Sequence, residues 1–216
     1  MMSAGNFVVY LFKKSISQVN MNNFKFCGLL IGIFMLLSGR LGAQEVVYTD
    51  ASAFPLYGKV SEETGGRYER LPSYLEDVAR GPVWRLGRNS AGLFIRFRSN
   101  STSIHARWEP LFNNSMTHMT DTGTKGLDLY ALVDGNWRHV GSAQPKGNKP
   151  ERRIIANMDP VEREYMLYLS LYDGVKSLEI GVDKGAILDL PAVARPSREK
   201  PVVMYGTSIL QGGCAN

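Results

Sequence analysis

The residues best suited to chemistry stand in the stretch VVMYGTSILQGG at 202–213. An apolar run leads Thr207 and Ser208 into a glycine-bounded turn, where a serine hydroxyl could act as a nucleophile. A phosphate-binding loop would need a Lys-Ser/Thr pair after its glycines, and the stretch has none. An elbow of the Gly-x-Ser-x-Gly type would need glycine where Leu210 stands. A buried strand ending in an ordinary turn and a nucleophile loop at the carboxyl end of a strand both remain open.

Three histidines offer further chemistry. His118 lies in a polar, methionine-flanked loop, which could either approach the serine or be a solvated connection. His105 and His139 lie on strand-like stretches, where a surface or pocket-lining position is favoured over catalysis. Their spacing does not support a three-histidine metal site, and we expect no metal or cofactor.

The first 43 residues are typical of a secretory signal peptide. The apolar stretch FKFCGLLIGIFMLL at 24–37 begins beside the charge of Lys25, and the small residue Ala43 stands at a typical cleavage position. The stretch is too short to span the roughly 30 Å of bilayer hydrocarbon, which disfavours a membrane anchor. We expect cleavage after Ala43, with Met21 as an alternative start, and a secreted or periplasmic mature chain without membrane contact.

Removal of this leader changes the charge of the protein. The whole chain has 25 Lys and Arg against 20 Asp and Glu, and the leader contains four of those basic residues and no acidic one. The mature chain therefore has 21 basic and 20 acidic residues, a balance that argues against nucleic acid as a partner. Cys27 leaves with the leader, so Cys214 has no partner for an internal disulfide.

Five stretches between residues 83 and 183 alternate apolar and polar residues, which is typical of half-buried β-strands. Their apolar sides are Leu93-Ile95-Phe97, Ile104-Ala106-Trp108, Leu127-Leu129-Ala131-Val133, Tyr165-Leu167-Leu169-Leu171 and Leu178-Ile180-Val182. Asp134-Gly135 and Asp173-Gly174 stand between such stretches and predict type I′ hairpin turns. Short strands at this spacing predict a β-sandwich or jelly roll.

The remaining segments are delimited by proline and glycine. Residues 72–81 begin at Pro72 and end at Gly81, which predicts one short helix. Residues 192–201 contain two prolines and four charges, which is typical of a linker. We therefore divide the chain into a signal peptide at 1–43, a β-sandwich at 44–196, and a last part at 197–216 containing the linker and the opening strand of a second domain.

Two motifs resemble a known family. YGTSILQGGCA at 205–215 resembles the first block of SGNH hydrolases, in the variant where Gly-Thr-Ser replaces Gly-Asp-Ser. GLDLY at 126–130 matches the motif of the GxDLY domain, which precedes the catalytic domain in a bacterial subgroup of these esterases. The resemblance covers residues 45–216. It implies a mainly β, jelly-roll-like sandwich followed by the first strand of an α/β, flavodoxin-like hydrolase domain.

The resemblance also implies roles for individual residues. Ser208 would attack an ester carbonyl, and its backbone N–H would donate to the oxyanion. In the family, the histidine that takes the serine proton, its aspartate and two further oxyanion donors come from later blocks, which this sequence does not contain. His118, Asp128 and Tyr130 are candidate site-lining residues, although a structural hydrogen bond is the favoured role for Asp128 and Tyr130.

We therefore expect the N-terminal portion of a secreted serine esterase, cut short after its first catalytic strand and inactive by itself. Its substrate would be a small ester or an acylated carbohydrate, and its partner the missing C-terminal catalytic domain. The alternative is a non-catalytic sandwich with a structural or carbohydrate-binding role. Trp84, Trp108 and Trp137 could form an aromatic platform for a sugar, although packing in the core is the commoner use of tryptophan.

Overall fold

The computed structural model describes residues 44–194 and 202–214. The predicted signal peptide and most of the predicted linker lie outside the described residues. Ten strands form the body of the structure: β1 Val46–Asp50, β2 Leu56–Tyr57, β3 Phe94–Ser99, β4 Ile104–Pro110, β5 Leu127–Val133, β6 Asn136–Ala143, β7 Glu151–Ile155, β8 Arg163–Tyr168, β9 Val175–Asp183 and β10 Leu188–Asp189. The α-helices are short: α1 Gly81–Gly87, α2 Asp121–Lys125 and α3 Ser208–Gln211, with 3₁₀ turns at Ala51–Ala53 and Ser73–Leu75.

The strands pair into two antiparallel sheets. Sheet A has the order β1-β9-β4-β7, and sheet B has the order β10-β3-β8-β5-β6, with β2 also paired to β3. Consecutive strands β3 and β4 lie in different sheets, as do β8 and β9, so the chain crosses repeatedly from one sheet to the other. This order is that of a jelly roll, and it confirms the predicted mainly β sandwich.

The core lies between the inner faces of the two sheets, where the predicted alternation places it. Leu93, Ile95, Phe97, Leu129 and Leu167 come from the sheet B side and have no exposed surface. Sheet A contributes, from strands β4 and β9, the buried side chains Ile104, Ala106, Trp108, Leu178, Ile180 and Val182. Period-two alternation therefore identified the buried side of the five predicted strands, because successive strand side chains point to opposite faces.

The two Asp-Gly pairs have different structures. Asp134 and Gly135 connect β5 to β6 with φ of 51° and 76°, the positive values that a type I′ turn requires. Asp173 and Gly174, in contrast, connect β8 in sheet B to β9 in sheet A, so the predicted hairpin at this pair is wrong. Asp173 is fully buried and acts as an acceptor for a neighbouring loop.

The helix predicted over 72–81 is also wrong. Pro72 precedes only a 3₁₀ turn at Ser73–Leu75, and the α-helix begins at Gly81, the residue at which the predicted helix ends. Pro82 in the first turn of α1 explains the displacement, because proline has no N–H to donate and is tolerated at a helix start.

The predicted strand at Val202–Tyr205 has no ladder to another strand within the described residues. These four side chains are 60–97% exposed. A strand is stabilised by hydrogen bonds to neighbouring strands, and none lies beside this segment in the described part of the chain. The following residues, from Ser208 to Gln211, form the short helix α3.

Candidate functional site

Ser208 lies at the start of α3, in an exposed position. Thr207 precedes the helix in an extended conformation, and Gly212 ends it with a positive φ of 96°. The N–H of Gly213 then returns to the carbonyl oxygen of Ser208 at 2.7 Å, closing a compact loop around the serine. Gly212 therefore serves this turn, because glycine adopts positive φ without steric penalty.

This loop rests on one corner of the sandwich. The hydroxyl of Tyr172 donates to the carbonyl oxygen of Ser208 at 3.0 Å. The side-chain amide of Gln211 donates to the carbonyl oxygen of Leu171 at 2.9 Å. The corner residues Leu171 and Tyr172 lie in the connection between β8, which ends at Tyr168, and β9, so a connection between the two sheets positions the serine loop.

A second loop, Leu111–Thr120, is fixed to the same corner. The buried carboxylate of Asp173 accepts hydrogen bonds from the backbone N–H of Phe112 at 2.8 Å and of Asn114 at 2.7 Å. The ammonium of Lys125, which is almost fully buried, donates to the side chain of Asn113 at 2.9 Å. These bonds give the loop a defined path from β4 to α2.

His118 belongs to this second loop and is exposed. Its carbonyl oxygen lies 3.7 Å from the Sγ of Cys214, six residues after Ser208. The structure therefore brings the His118 loop beside the serine loop through backbone and sulfur contact. The contact does not involve the imidazole of His118, so the role of that side chain stays a prediction.

The other two histidines have hydrogen-bond partners within the sandwich. The Nε2 of His105 lies 3.0 Å from the Oγ of Ser103, and burial lowers the pKa of this imidazole. The Nε2 of His139 lies 3.1 Å from the Oγ of Ser142. Neither contact involves Ser208, and a surface or pocket-lining role for these two histidines stays a prediction.

Asp128 and Tyr130 both point to the outer face of sheet B. Asp128 accepts a hydrogen bond from the hydroxyl of Ser142 at 2.6 Å. The ring of Tyr130 contacts the rings of His139 and Tyr168 edge-on, with centroid separations of 5.4 and 5.5 Å. These contacts are with other residues of sheet B, and a role for Asp128 and Tyr130 in lining a site stays a prediction.

The three tryptophans do not share one surface. Trp108 is buried in the core, where its indole N–H donates to the carbonyl oxygen of Lys125 at 3.1 Å. Trp84 donates to Glu76 from helix α1, and Trp137 lies on sheet B with the guanidinium of Arg96 over its ring. A platform made of all three is therefore excluded by the burial of Trp108.

The described segments, 44–194 and 202–214, contain neither a metal-binding cluster nor a membrane-spanning helix. No group of three or more His, Cys, Asp or Glu side chains there is arranged to hold a metal ion. No helix there has the length and apolar character needed to cross a membrane.

Sequence reasoning missed Tyr172 and Asp173, which position the two loops. The stretch LYDGV gave only a turn signal, because the partners of both residues are distant in the chain. Tyr172 is bonded to a residue 36 positions away, and Asp173 to residues about 60 positions away. The roles of Tyr172 as a donor and of Asp173 as a buried acceptor could have been predicted only with knowledge of the strand order.

Comparisons with known proteins identify the family. The family model GxDLY, described as the N-terminus of esterases of the SGNH-hydrolase type, matches residues 46–188. A comparison with curated protein sequences found no match.

Two solved structures are similar to this chain. A GDSL-like lipase from Bacteroides ovatus ATCC 8483 is 37% identical, with a TM-score of 0.64 over 68% of this chain. The salicylyl-acyltransferase SsfX3 of a tetracycline biosynthetic pathway is 18% identical, with a TM-score of 0.49 over 73% of this chain.

The matched parts are 43% and 44% of those two proteins, so this chain corresponds to less than half of each. The GLDLY motif at 126–130 lies within the residues matched by the family model, on α2–β5 of the jelly roll. The chain belongs to the GxDLY family, the N-terminal domain of SGNH-hydrolase-type esterases.

Proposed function

We propose that this chain is the N-terminal portion of a secreted serine esterase of the SGNH type, with Ser208 as its nucleophile. The observation that carries the proposal is the position of Ser208: exposed, at the first residue of a compact turn, and fixed to a family-specific sandwich. Family membership supports ester hydrolysis as the chemistry. The substrate we propose is a carboxylic ester, such as an acetylated carbohydrate.

In the proposed mechanism, the Oγ of Ser208 attacks the ester carbonyl while a base takes its proton. The carbonyl oxygen becomes an oxyanion, and the backbone N–H of Ser208, which has no intrahelical acceptor at this position, donates to it. The alcohol leaves after protonation, and water then hydrolyses the acyl-serine. A serine hydroxyl is a weak nucleophile without such a base, whose help is worth about 10²–10⁴-fold in rate.

We propose that the base belongs to a catalytic portion supplied beyond this chain. His105 and His139 are bonded to Ser103 and Ser142 rather than to Ser208. The 216-residue chain would then hydrolyse p-nitrophenyl acetate no faster than its Ser208→Ala variant. Turnover by the short chain that depends on Ser208 would contradict this part of the proposal.

The decisive experiment uses the chain joined to a catalytic portion. That portion comes from the reading frame that follows the gene or, in a chimera, from the Bacteroides ovatus lipase. Ser208→Ala should abolish hydrolysis of p-nitrophenyl acetate and labelling by a fluorophosphonate. Ser177→Ala, at an exposed serine on β9, is the matched control and should leave both unchanged. Activity that survives Ser208→Ala would refute the assignment of the nucleophile.

We also propose that the mature protein begins at Gln44, after cleavage of the predicted signal peptide. N-terminal sequencing of periplasmic or secreted protein tests this directly. A mature protein that retains residues 24–37 would contradict it.

A second candidate function is non-catalytic carbohydrate binding, which a row of rings on the outer face of sheet B favours. Tyr57, Phe94, Tyr168, Tyr130 and His139 follow one another across the strands, with successive centroid separations of 5.3, 4.9, 5.5 and 5.4 Å. At one end the carboxylate of Asp128 offers an acceptor for sugar hydroxyls. Aromatic rings combined with polar groups suit a surface that binds an amphipathic ligand.

Affinity electrophoresis in gels containing acetylated xylan or other polysaccharides tests the second candidate. Tyr168→Ala should abolish any retardation of the chain, while Tyr74→Ala at an exposed tyrosine outside the row should not. Equal mobility with and without each polysaccharide would leave the esterase proposal as the function.

A further inference from the structure

The contact between Tyr172 and Ser208 suggests a role for the sandwich in catalysis. We infer that Tyr172 is a positioning residue, through which the GxDLY domain sets the place of the nucleophile loop. The catalytic consequence rests on the proposed function, whereas the positioning itself is a property of this chain.

The hydroxyl of Tyr172 is a donor held in a fixed place. The residue is 7% exposed, and its backbone N–H donates to the carbonyl oxygen of Thr124 at 2.9 Å. The next residue, Asp173, is fully buried and accepts two backbone N–H groups of the Leu111–Thr120 loop. The backbone of Tyr172 and the side chain of Asp173 are thus held by α2 and the Leu111–Thr120 loop, independently of the serine loop.

The hydroxyl reaches the nucleophile residue because Gly213 has no side chain. A Cβ at Gly213 would lie 2.9 Å from the Tyr172 hydroxyl oxygen and 3.0 Å from the carbonyl oxygen of Ser208, closer than van der Waals contact allows. The glycine therefore leaves room for the 3.0 Å hydrogen bond between Tyr172 and Ser208. The same carbonyl oxygen also accepts the N–H of Gly213, so one acceptor joins the turn to the sandwich.

A second bond fixes the loop at a neighbouring point. Gln211 donates through its side chain to the carbonyl oxygen of Leu171 at 2.9 Å. Helix α3 has only four residues, far fewer than an isolated helix needs to be stable in water. Its order must therefore come from these two bonds and the packing around them.

Positioning of this kind matters for a nucleophile. Catalytic groups need to be held within about 0.5 Å of the productive geometry. A displacement of about 1 Å can reduce the rate of an enzyme by about 10²-fold. The Ser208 side chain is carried by the residue whose carbonyl Tyr172 holds, so a looser carbonyl moves the hydroxyl with it.

Hydrogen–deuterium exchange followed by mass spectrometry tests the positioning in the full 216-residue chain. Tyr172→Phe removes the donor and keeps the ring, so peptides covering 206–214 should exchange about 2- to 10-fold faster, as expected for loss of one hydrogen bond. Gln211→Met, which keeps side-chain length but loses the donor, should have a similar effect. Tyr74→Phe, at an exposed tyrosine, is the control and should change nothing.

The pattern of exchange separates positioning from a general structural role. If Tyr172 positions the loop, the faster exchange in the variants is confined to 206–214, while peptides of β3, β8 and β9 exchange as in the unaltered chain. Unchanged exchange at 206–214 in both Tyr172→Phe and Gln211→Met would overturn the inference. Faster exchange spread over the whole sandwich in both variants would overturn it as well.

The catalytic consequence is measured in the protein completed with a catalytic portion. Tyr172→Phe should lower kcat for p-nitrophenyl acetate by about 10-fold or more, with KM changed less than twofold, because the loop position affects the transition state more than substrate binding. An unchanged kcat beside a locally loosened loop would overturn the catalytic role. Activity that persists in Ser208→Ala would instead refute the proposed function, and the exchange result is independent of that outcome.

Discussion

The carboxylate of Asp183, at the end of β9, accepts a hydrogen bond of 2.6 Å from the hydroxyl of Ser103, the residue before β4. The other carboxylate oxygen accepts from the backbone N–H and the hydroxyl of Thr102, at 2.8 and 2.6 Å. A single buried acidic side chain therefore fixes the connection between β3 of sheet B and β4 of sheet A, a crossover of the jelly roll.

This carboxylate should make stability depend on acid pH. Burial alone would raise the pKa of Asp183, but the hydrogen bonds from Ser103 and Thr102 outweigh it and lower the pKa to about 2. An unfolded aspartate titrates near pH 3.9. Because the folded pKa is the lower one, the stabilisation is fully present above about pH 4 and is lost as the pH falls through about 2.

The test is urea unfolding of Asp183→Asn and of the unaltered protein at pH 7, 4 and 2.5. At pH 7 the variant should be less stable by about 2–3 kcal/mol, the equivalent of a shift of about two pKa units. The gap should narrow at pH 2.5. Asp77→Asn, at an exposed aspartate, is the control. A gap of equal size at all three pH values would contradict the assignment.

A buried ion pair joins strands β3 and β8 of sheet B. Arg96 and Glu164 are 3.1 Å apart with side chains only 6% and 8% exposed, and Glu164 also accepts the backbone N–H of Val193 at 2.9 Å. Glu164→Ala would leave the guanidinium buried without its partner, so we expect a loss of about 3–5 kcal/mol. Glu162→Ala removes a partly exposed pair with Arg98 and should cost less than about 1 kcal/mol.

Chemical denaturation of the two variants gives the comparison. Equal midpoints for Glu164→Ala and Glu162→Ala would show that burial of the Arg96 pair contributes nothing to stability.

The glycine beside Tyr172 should not tolerate a side chain. Gly213→Ala places a methyl group 2.9 Å from the Tyr172 hydroxyl oxygen, so the serine loop must move away from the corner. We expect faster amide exchange at 206–214 with no change in the melting temperature of the sandwich. Gly81→Ala is the matched control, because a Cβ there meets no atom within 4 Å. Unaltered exchange in Gly213→Ala would mean that the loop accommodates the methyl group in place.

The sandwich should fold without the segment that follows it. Residues 44–196 expressed alone should give a β-type circular dichroism spectrum and a cooperative melt, since the hydrophobic core of the described residues runs from Ala51 to Leu188, inside this fragment. Leu178→Ala, at a fully buried position of β9, should reduce the free energy of unfolding of this fragment by about 2–5 kcal/mol. The exposed neighbour Ser177→Ala should have little effect. A broad, non-cooperative melt of the unaltered fragment would contradict the expectation.

The sequence alone predicted the inner face of the sandwich, and it did so for a local reason. Side chains two residues apart share a face of a strand, so the positions of Leu93, Ile95 and Phe97 show which side is apolar without any knowledge of the partner strands. The Asp134-Gly135 hairpin is local in the same sense. The two family motifs were equally readable, because each is a short run of consecutive residues.

The outer face was not predictable in that way. Arg96 alternates with the apolar residues Ile95 and Phe97, a pattern that predicts the more exposed side of the strand, yet it is only 5% exposed. Glu164 lies 68 positions away in the chain and Trp137 comes from another strand, and both contact its guanidinium. Alternation distinguishes two faces, but only the assembled sheet determines what covers each of them.

The candidate site also has features that the sequence predicted and features that only the tertiary structure decided. Sequence placed Ser208 in a glycine-bounded turn after an apolar run, because those residue types act on the backbone next to them. The tertiary structure alone decided that Tyr172 holds this turn and that Asp173, in an apparent hairpin signal, anchors the Leu111–Thr120 loop. Both depend on hydrogen bonds between distant residues, and a hydrogen bond requires a geometry that forms only when the sheets have brought those residues within about 3 Å.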